Sequence, residues 1–136
     1  MDTTIPVSEI MTSPVITLHE DDTLRLVDKT FEKHSFHHIP ILNSQGKIVG
    51  IISKEDILRL ISVRNEFTDK EFGRIKVRDF MSTNVVKISP DDSVGLAAVI
   101  IMANKFHALP VVDDQNRVVG IVTSHDLIRY AYQDSV

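Results

Sequence analysis

The stretch Gly50-Ile51-Ile52-Ser53-Lys54-Glu55-Asp56 returns 70 residues later as Gly120-Ile121-Val122-Thr123-Ser124-His125-Asp126. An apolar run that gives way to a hydroxyl and, three places on, to a carboxylate reads as a strand entering a helix. Ser-x-x-Asp and Thr-x-x-Asp suit a capping box, in which hydroxyl and carboxylate each accept a bond from a backbone N–H group. The same atoms suit a ligand. First-turn N–H groups and the positive end of the helix dipole attract phosphate. The hydroxyl of Ser53 or Thr123 adds a donor, and the carboxylate of Asp56 or Asp126 can accept both hydroxyls of a ribose. Both readings stand at this point. Gly50 and Gly120 admit a ligand or another backbone at close range, or serve packing within a sheet.

A second constellation is histidine before Ile-Pro or Leu-Pro. His37 and His107 occupy matching places, with His38 beside the first and Ala108 beside the second. Histidine donates to phosphate oxygens more strongly as it protonates below about pH 6.5. His34, His37 and His38 fall close together, but no carboxylate or cysteine joins them at a zinc-like spacing, so no metal is expected. His19 and His125 give no pattern. Nothing points to catalysis: there is no Gly-x-Ser-x-Gly, Walker loop, Gly-x-Gly-x-x-Gly or His-Glu-x-x-His. The pairs Asp21-Asp22 and Asp91-Asp92 precede helices, where dipole and cap roles account for them.

The elements that position these residues also come in duplicate. The offset of 70 carries Val7 to Val77, Met11 to Met81, Pro40 to Pro110 and Gly50 to Gly120, with about 15 identities in roughly 55 aligned positions. Each copy begins with a short apolar turn (Val7 to Met11, Val77 to Met81) and an extended piece (Val15 to Leu18, Val85 to Ile88). A helix then starts at Thr23 or Ser93, as N-cap chemistry prefers. Leu24, Val27 and Phe31, or Val94, Ala97 and Ile101, share one of its faces. Two strands follow (Ile39 to Leu42 and Ile48 to Ile52; Leu109 to Val112 and Val118 to Val122), joined by Asn43-Ser44-Gln45-Gly46 or Asp113-Asp114-Gln115-Asn116. A last helix follows Ser53 or Thr123. The expected organisation is a first unit at 6–62, a linker at 63–76, polar apart from Phe67 and Phe72, and a second unit at 77–132.

Bulk properties narrow the function classes. The 136 residues carry a net charge of −4 and no cysteine. The acidic balance argues against a nucleic-acid binder. Without cysteine there are no disulfides or thiolate metal sites. No apolar run approaches a membrane span and no signal peptide is visible, so a cytoplasmic chain is expected.

Taken together, the chain resembles a tandem pair of CBS domains, a Bateman module. The resemblance rests on Met11-Thr12-Ser13-Pro14-Val15 with Met81-Ser82-Thr83-Asn84-Val85, the two His-x-(Ile/Leu)-Pro segments and the two Gly-x-x-(Ser/Thr)-x-x-Asp motifs, in the family's order. It implies a mixed α/β (α+β) fold of two β-α-β-β-α units packed as a pseudo-two-fold pair. It also implies clefts that bind adenosine-containing ligands: AMP, ADP, ATP or S-adenosylmethionine. Carried over by position, Asp56 and Asp126 hold ribose, and Ser53 and Thr123 contact ribose or phosphate. His37, His38 and His107 lie near phosphates. Val15, Ile16, Val85 and Val86 line the adenine, with the segments of Ser13 and Thr83 beside them. Ala108 stands where some members of the family carry a basic residue, so the resemblance does not imply equal phosphate affinity in the two copies.

The function expected is that of a free-standing, non-enzymatic regulator that senses adenine nucleotides or S-adenosylmethionine, needs no other cofactor and signals to an unidentified partner protein. An adaptor with vestigial clefts is the alternative; an enzyme acting on nucleotides is a weaker third. Comparison of the first helices adds a homodimer. Arg25, Asp28, Lys29 and Glu32 in one copy correspond to Gly95, Ala98, Val99 and Met102 in the other. An apolar stripe where its twin is charged calls for a cover, either a second chain or the chain's own linker around Phe67 and Phe72 or its N-terminus.

Overall fold

The computed structural model describes residues 1–63, 69–104 and 106–133. The chain forms two compact units: Ile16–Val85, and Met1–Val15 together with the chain from Val86 onward.

The contiguous unit contains β1 (Leu18–His19), α1 (Leu24–Lys33), β2 (His38–Leu42), β3 (Ile48–Ser53), α2 (Lys54–Val63), α3 (Asp69–Phe72) and a 3-10 turn at Val77–Asp79. Its sheet runs β1-β2-β3; β1 is parallel to β2, and β2 is antiparallel to β3. Thr23 caps α1, its hydroxyl accepting from Leu26 N at 3.3 Å. Leu24, Val27 and Phe31 turn inward, as the spacing predicts, and meet Ile39, Ile41, Ile52, Ile57 and Val77 in the core. Phe72 and Ile75 pack against this cluster; Phe67 lies outside the described residues.

The other unit contains a 3-10 turn at Val7–Glu9, α4 (Val94–Asn104), β4 (Ala108–Val112), β5 (Val118–Thr123) and α5 (Ser124–Tyr132). β4 and β5 are antiparallel, and Ile88 bridges Val111 in parallel where β1 lies in the first copy. Ser93 caps α4 through Leu96 N at 3.1 Å. Val7, Ile88, Val94, Ala97, Ile101, Leu109, Val111 and Val122 form its core.

The hairpin turns repeat the same chemistry. Asn43 Oδ1 accepts from Gln45 N and Lys47 N, and Asp113 Oδ1 accepts from Gln115 N and Arg117 N. Gly46 and Asn116 supply the left-handed residue, at φ 76° and 62°, a conformation that glycine and asparagine tolerate.

The opening segment of each repeat packs with the body of the other. Thr12 exchanges backbone bonds with Ile121, at 2.8 and 3.0 Å, and Ser82 does the same with Ile51, at 2.9 and 3.0 Å. Val7 N donates to Asp92 O and Val77 N to Asp22 O, both at 2.8 Å. The structure thus assigns Met11 to the unit of Gly120, and Met81 to that of Gly50.

Candidate functional site

The hydroxyl-x-x-Asp motifs lie where β3 enters α2 and β5 enters α5, as expected. Both form full capping boxes. Ser53 N donates to Asp56 Oδ2 at 3.0 Å while Asp56 N donates to Ser53 Oγ at 3.1 Å. Thr123 N donates to Asp126 Oδ2 at 2.9 Å, and Asp126 N donates to Thr123 Oγ1 at 3.1 Å. The first helical N–H groups, of Lys54 and Ser124, donate to the carbonyls of His37 and His107 at 2.8 and 3.0 Å. Two of the first three amides of each helix are therefore already bonded within the protein. What the α2 junction leaves open is the Asp56 carboxylate more than a nest of donors.

The two carboxylates differ in their surroundings. Asp56 keeps 35% of its side chain exposed, with Arg59 Nη1 at 3.6 Å from Oδ1. Asp126 is 2% exposed, a buried charged residue. Thr12 Oγ1 donates to its Oδ1 at 3.1 Å, Arg129 Nη2 donates to Oδ1 at 2.5 Å, and Thr123 Oγ1 donates to Oδ2 at 3.0 Å. Burial of a carboxylate is tolerated when its lone pairs are filled in this way.

The remaining candidates divide between the units. His38 opens β2, opposite Ser53 in register, and is half-buried; in the other unit Ala108 stands opposite Thr123 and is buried. His37 and His107 are exposed, beside their helix starts. Ile16 is exposed in the contiguous unit, with Thr83. Val86 packs on the core of the other unit. There Ser13 Oγ donates to Val119 O at 3.0 Å, beside Gly120. His34 stacks on Phe36 with ring centres 4.8 Å apart. Among the described residues no cluster of three or more His, Cys, Asp or Glu is placed to hold a metal ion.

At the two glycines the structure places a neighbour that the sequence did not indicate. A Cβ on Gly50 would lie 2.8 Å from Met81 Cγ, and one on Gly120 would lie 2.9 Å from Met11 Cγ. A methionine side chain fills each space, so the glycines serve packing. The paired acids before α1 and α4 also have local roles. Asp22 Oδ2 and Asp92 Oδ2 accept from His19 N and Ser89 N at 2.7 and 2.9 Å. Asp21 pairs with Arg78 and Lys76.

The sequence reading passed over Thr12 and Arg129. A signal for Arg129 existed: Asp56-x-x-Arg59 and Asp126-x-x-Arg129 are identical at both ends under the offset of 70.

The CBS domain family matches the chain twice, at residues 7–63 and 77–133. An uncharacterized protein of Methanocaldococcus jannaschii is 33% identical, over 90% of this chain and 88% of its own. The L-aspartate semialdehyde sulfurtransferase of the same organism is 35% identical over 90% of this chain, which spans only 22% of that enzyme. Among solved structures, the CBS domain pair of protein MJ0100 in complex with 5′-methylthioadenosine and S-adenosyl-L-methionine superposes with a TM-score of 0.83. It is 31% identical and the match covers 96% of this chain and 98% of that one.

Proposed function

The chain belongs to the CBS-domain family as a tandem pair, and on that premise we propose that it is a regulatory module that binds an adenosine-containing ligand and carries no catalysis of its own. The observation that supports this reading is the duplicated carboxylate at a strand-to-helix junction, Asp56 and Asp126, each aligned by its capping box. A similar pair, 31% identical, was crystallised with two adenosyl compounds. In this reading Asp56 and Asp126 accept the ribose hydroxyls. Ser53 and Thr123 stand beside ribose or phosphate. Val15, Ile16, Val85 and Val86 contact adenine, with Ser13 and Thr83 near it. His37, His38 and His107 approach phosphate where the ligand has one. Because few amides remain open at the helix starts, the nucleoside part contributes most of the recognition.

Ligand occupancy would favour one arrangement of the chain, and a partner protein would read it. A second copy of the chain is part of the proposal. Val99 is 57% and Met102 74% exposed on α4, with Leu96 and, on α5, Ile128 exposed as well. The N-terminal segment covers only the start of this stripe, at Gly95, whose N–H donates to Thr3 O at 2.9 Å. In the first copy Lys29 and Glu32 hold the matching places in solvent, while Arg25 lies against Gly73.

The test is a thermal-shift screen with AMP, ADP, ATP, S-adenosylmethionine and 5′-methylthioadenosine. A true ligand at ~100 times its Kd adds about 2.7 kcal/mol. No shift with any of them at millimolar concentration, with unchanged stability in guanosine controls, refutes adenosyl binding and leaves the adaptor reading.

A further inference from the structure

We propose that Arg129, with Thr12, occupies the ligand-facing oxygen of Asp126, so that the two motif copies fill in a fixed order, Asp56 first. This rests on the reading that both carboxylates hold ribose. The copies are built from matching residues, yet they differ where it counts. Asp126 Oδ1 already accepts from the Arg129 guanidinium and the Thr12 hydroxyl, and Oδ2 from the Thr123 amide and hydroxyl. A diol arriving at this carboxylate has to displace a charge-assisted bond, among the stronger kinds of hydrogen bond. At Asp56 the matching arginine makes the longer ion pair, 3.6 Å from Oδ1, and 35% of the carboxylate side chain is exposed.

The copies also differ in sequence at this point. Thr12 and Thr123 replace the Ser82 and Ser53 of the other copy. Both threonine hydroxyls donate to Asp126, whose side chain is 2% exposed. In a drier setting the Arg129–Asp126 attraction is screened less. Arg129 itself remains largely in solvent, so it can swing away without opening the core. The bond is thus a latch that a ligand must lift, and the second site responds only at ligand levels that have already filled the first.

The experiment has two arms. Calorimetric titrations with S-adenosylmethionine, and separately with AMP, compare wild type, Asp56→Ala, Asp126→Ala and Arg129→Gln. Wild type should bind in two steps. Asp56→Ala should remove the tighter one and Asp126→Ala the weaker. Arg129→Gln, a change at an exposed position, should tighten the weaker step about tenfold, equal to 1.4 kcal/mol, and leave the tighter one alone. An unchanged weaker step in Arg129→Gln, or loss of the tighter step in Asp126→Ala, overturns the order. No binding to wild type, or full affinity in both Asp→Ala variants, overturns the ribose reading and the order with it. The second arm needs no ligand. Guanidinium ¹⁵N spectra should show restricted rotation for Arg129, released in Asp126→Asn. Free rotation in wild type overturns the latch itself.

Discussion

Gly50→Ala tests the packing that binds one repeat's opening segment to the other's sheet. The backbone at Gly50 is not left-handed, so alanine meets no strain there. Its methyl, however, would fall 2.8 Å from Met81 Cγ, on a side chain already packed against the core. Overpacking of this kind costs about 1–3 kcal/mol. Replacing glycine inside a strand returns about 0.5–1 kcal/mol of chain entropy. The net expectation is a loss of up to about 2.5 kcal/mol, read as a lower urea midpoint at constant slope. In a Met81→Ala background the methyl enters vacated space and only the entropic gain remains. The same change should then be neutral or stabilising by up to about 1 kcal/mol. The resulting coupling of at least about 1 kcal/mol exceeds the few tenths by which distant mutations fail to add. Gly120 with Met11 should behave alike. Gly46→Ala is the control: at φ 76° with nothing within 4 Å, it should cost about 1 kcal/mol of backbone strain whatever occupies position 81. Equal losses for Gly50→Ala in both backgrounds would refute the contact.

Three further outcomes are expected. Asp126→Ala should lower stability by about 2–3 kcal/mol and Asp56→Ala by about 1, since only the former removes a buried carboxylate that accepts from Thr12, Thr123 and Arg129 as well as closing its cap; equal losses in urea unfolding would contradict this. Burial, then the charge of Glu32, holds the Asp28 carboxyl above its ordinary 3.8. The folded chain therefore keeps this proton more tightly than the unfolded chain, and stability falls as pH rises from 3.8 through the folded value. Asp28→Asn should stabilise at pH 7 by about a few tenths of a kcal/mol after solvent screening, with the gain vanishing below pH 3.8; a gain that grows in acid would reverse the sign. Val99→Lys with Met102→Glu should convert a sedimenting dimer into a folded monomer, and a wild-type monomer at micromolar concentration would remove the second copy.

The sequence made local features legible where the chain's own spacing controls them. The hydroxyl-x-x-Asp caps, the inward faces of α1 and α4 and the Asx turns all depend on residues within four places of one another. The extended pieces were less legible: only Leu18–His19 and the Ile88 bridge pair as strand, because too few backbone groups there find a neighbour. Partners distant in sequence were not legible. Thr12 reaches Asp126 across 114 residues, and nothing in the composition of either segment announces the other. The glycines illustrate the limit. Their positions left close approach and packing within the sheet equally open, and the Met11 and Met81 that fill the space belong to the opposite repeat.

The exchange of opening segments also sets the order in which the chain can mature on a ribosome. The unit Ile16–Val85 is contiguous, so every residue of it has been made once Val85 emerges. The other unit joins Met1–Val15 to a body that begins at Val86. Val7, a fully buried core residue, must therefore wait, exposed, through the synthesis of some seventy intervening residues. At about 5–20 residues per second that interval lasts several seconds, long beside the time a loop takes to close. The earliest-made segment is the last to be buried. A slow stretch of translation between the units would lengthen the life of an unsealed N-terminus, and a chain that began at Ile16 would make the first unit whole while leaving the second with an open sheet edge at Ile121.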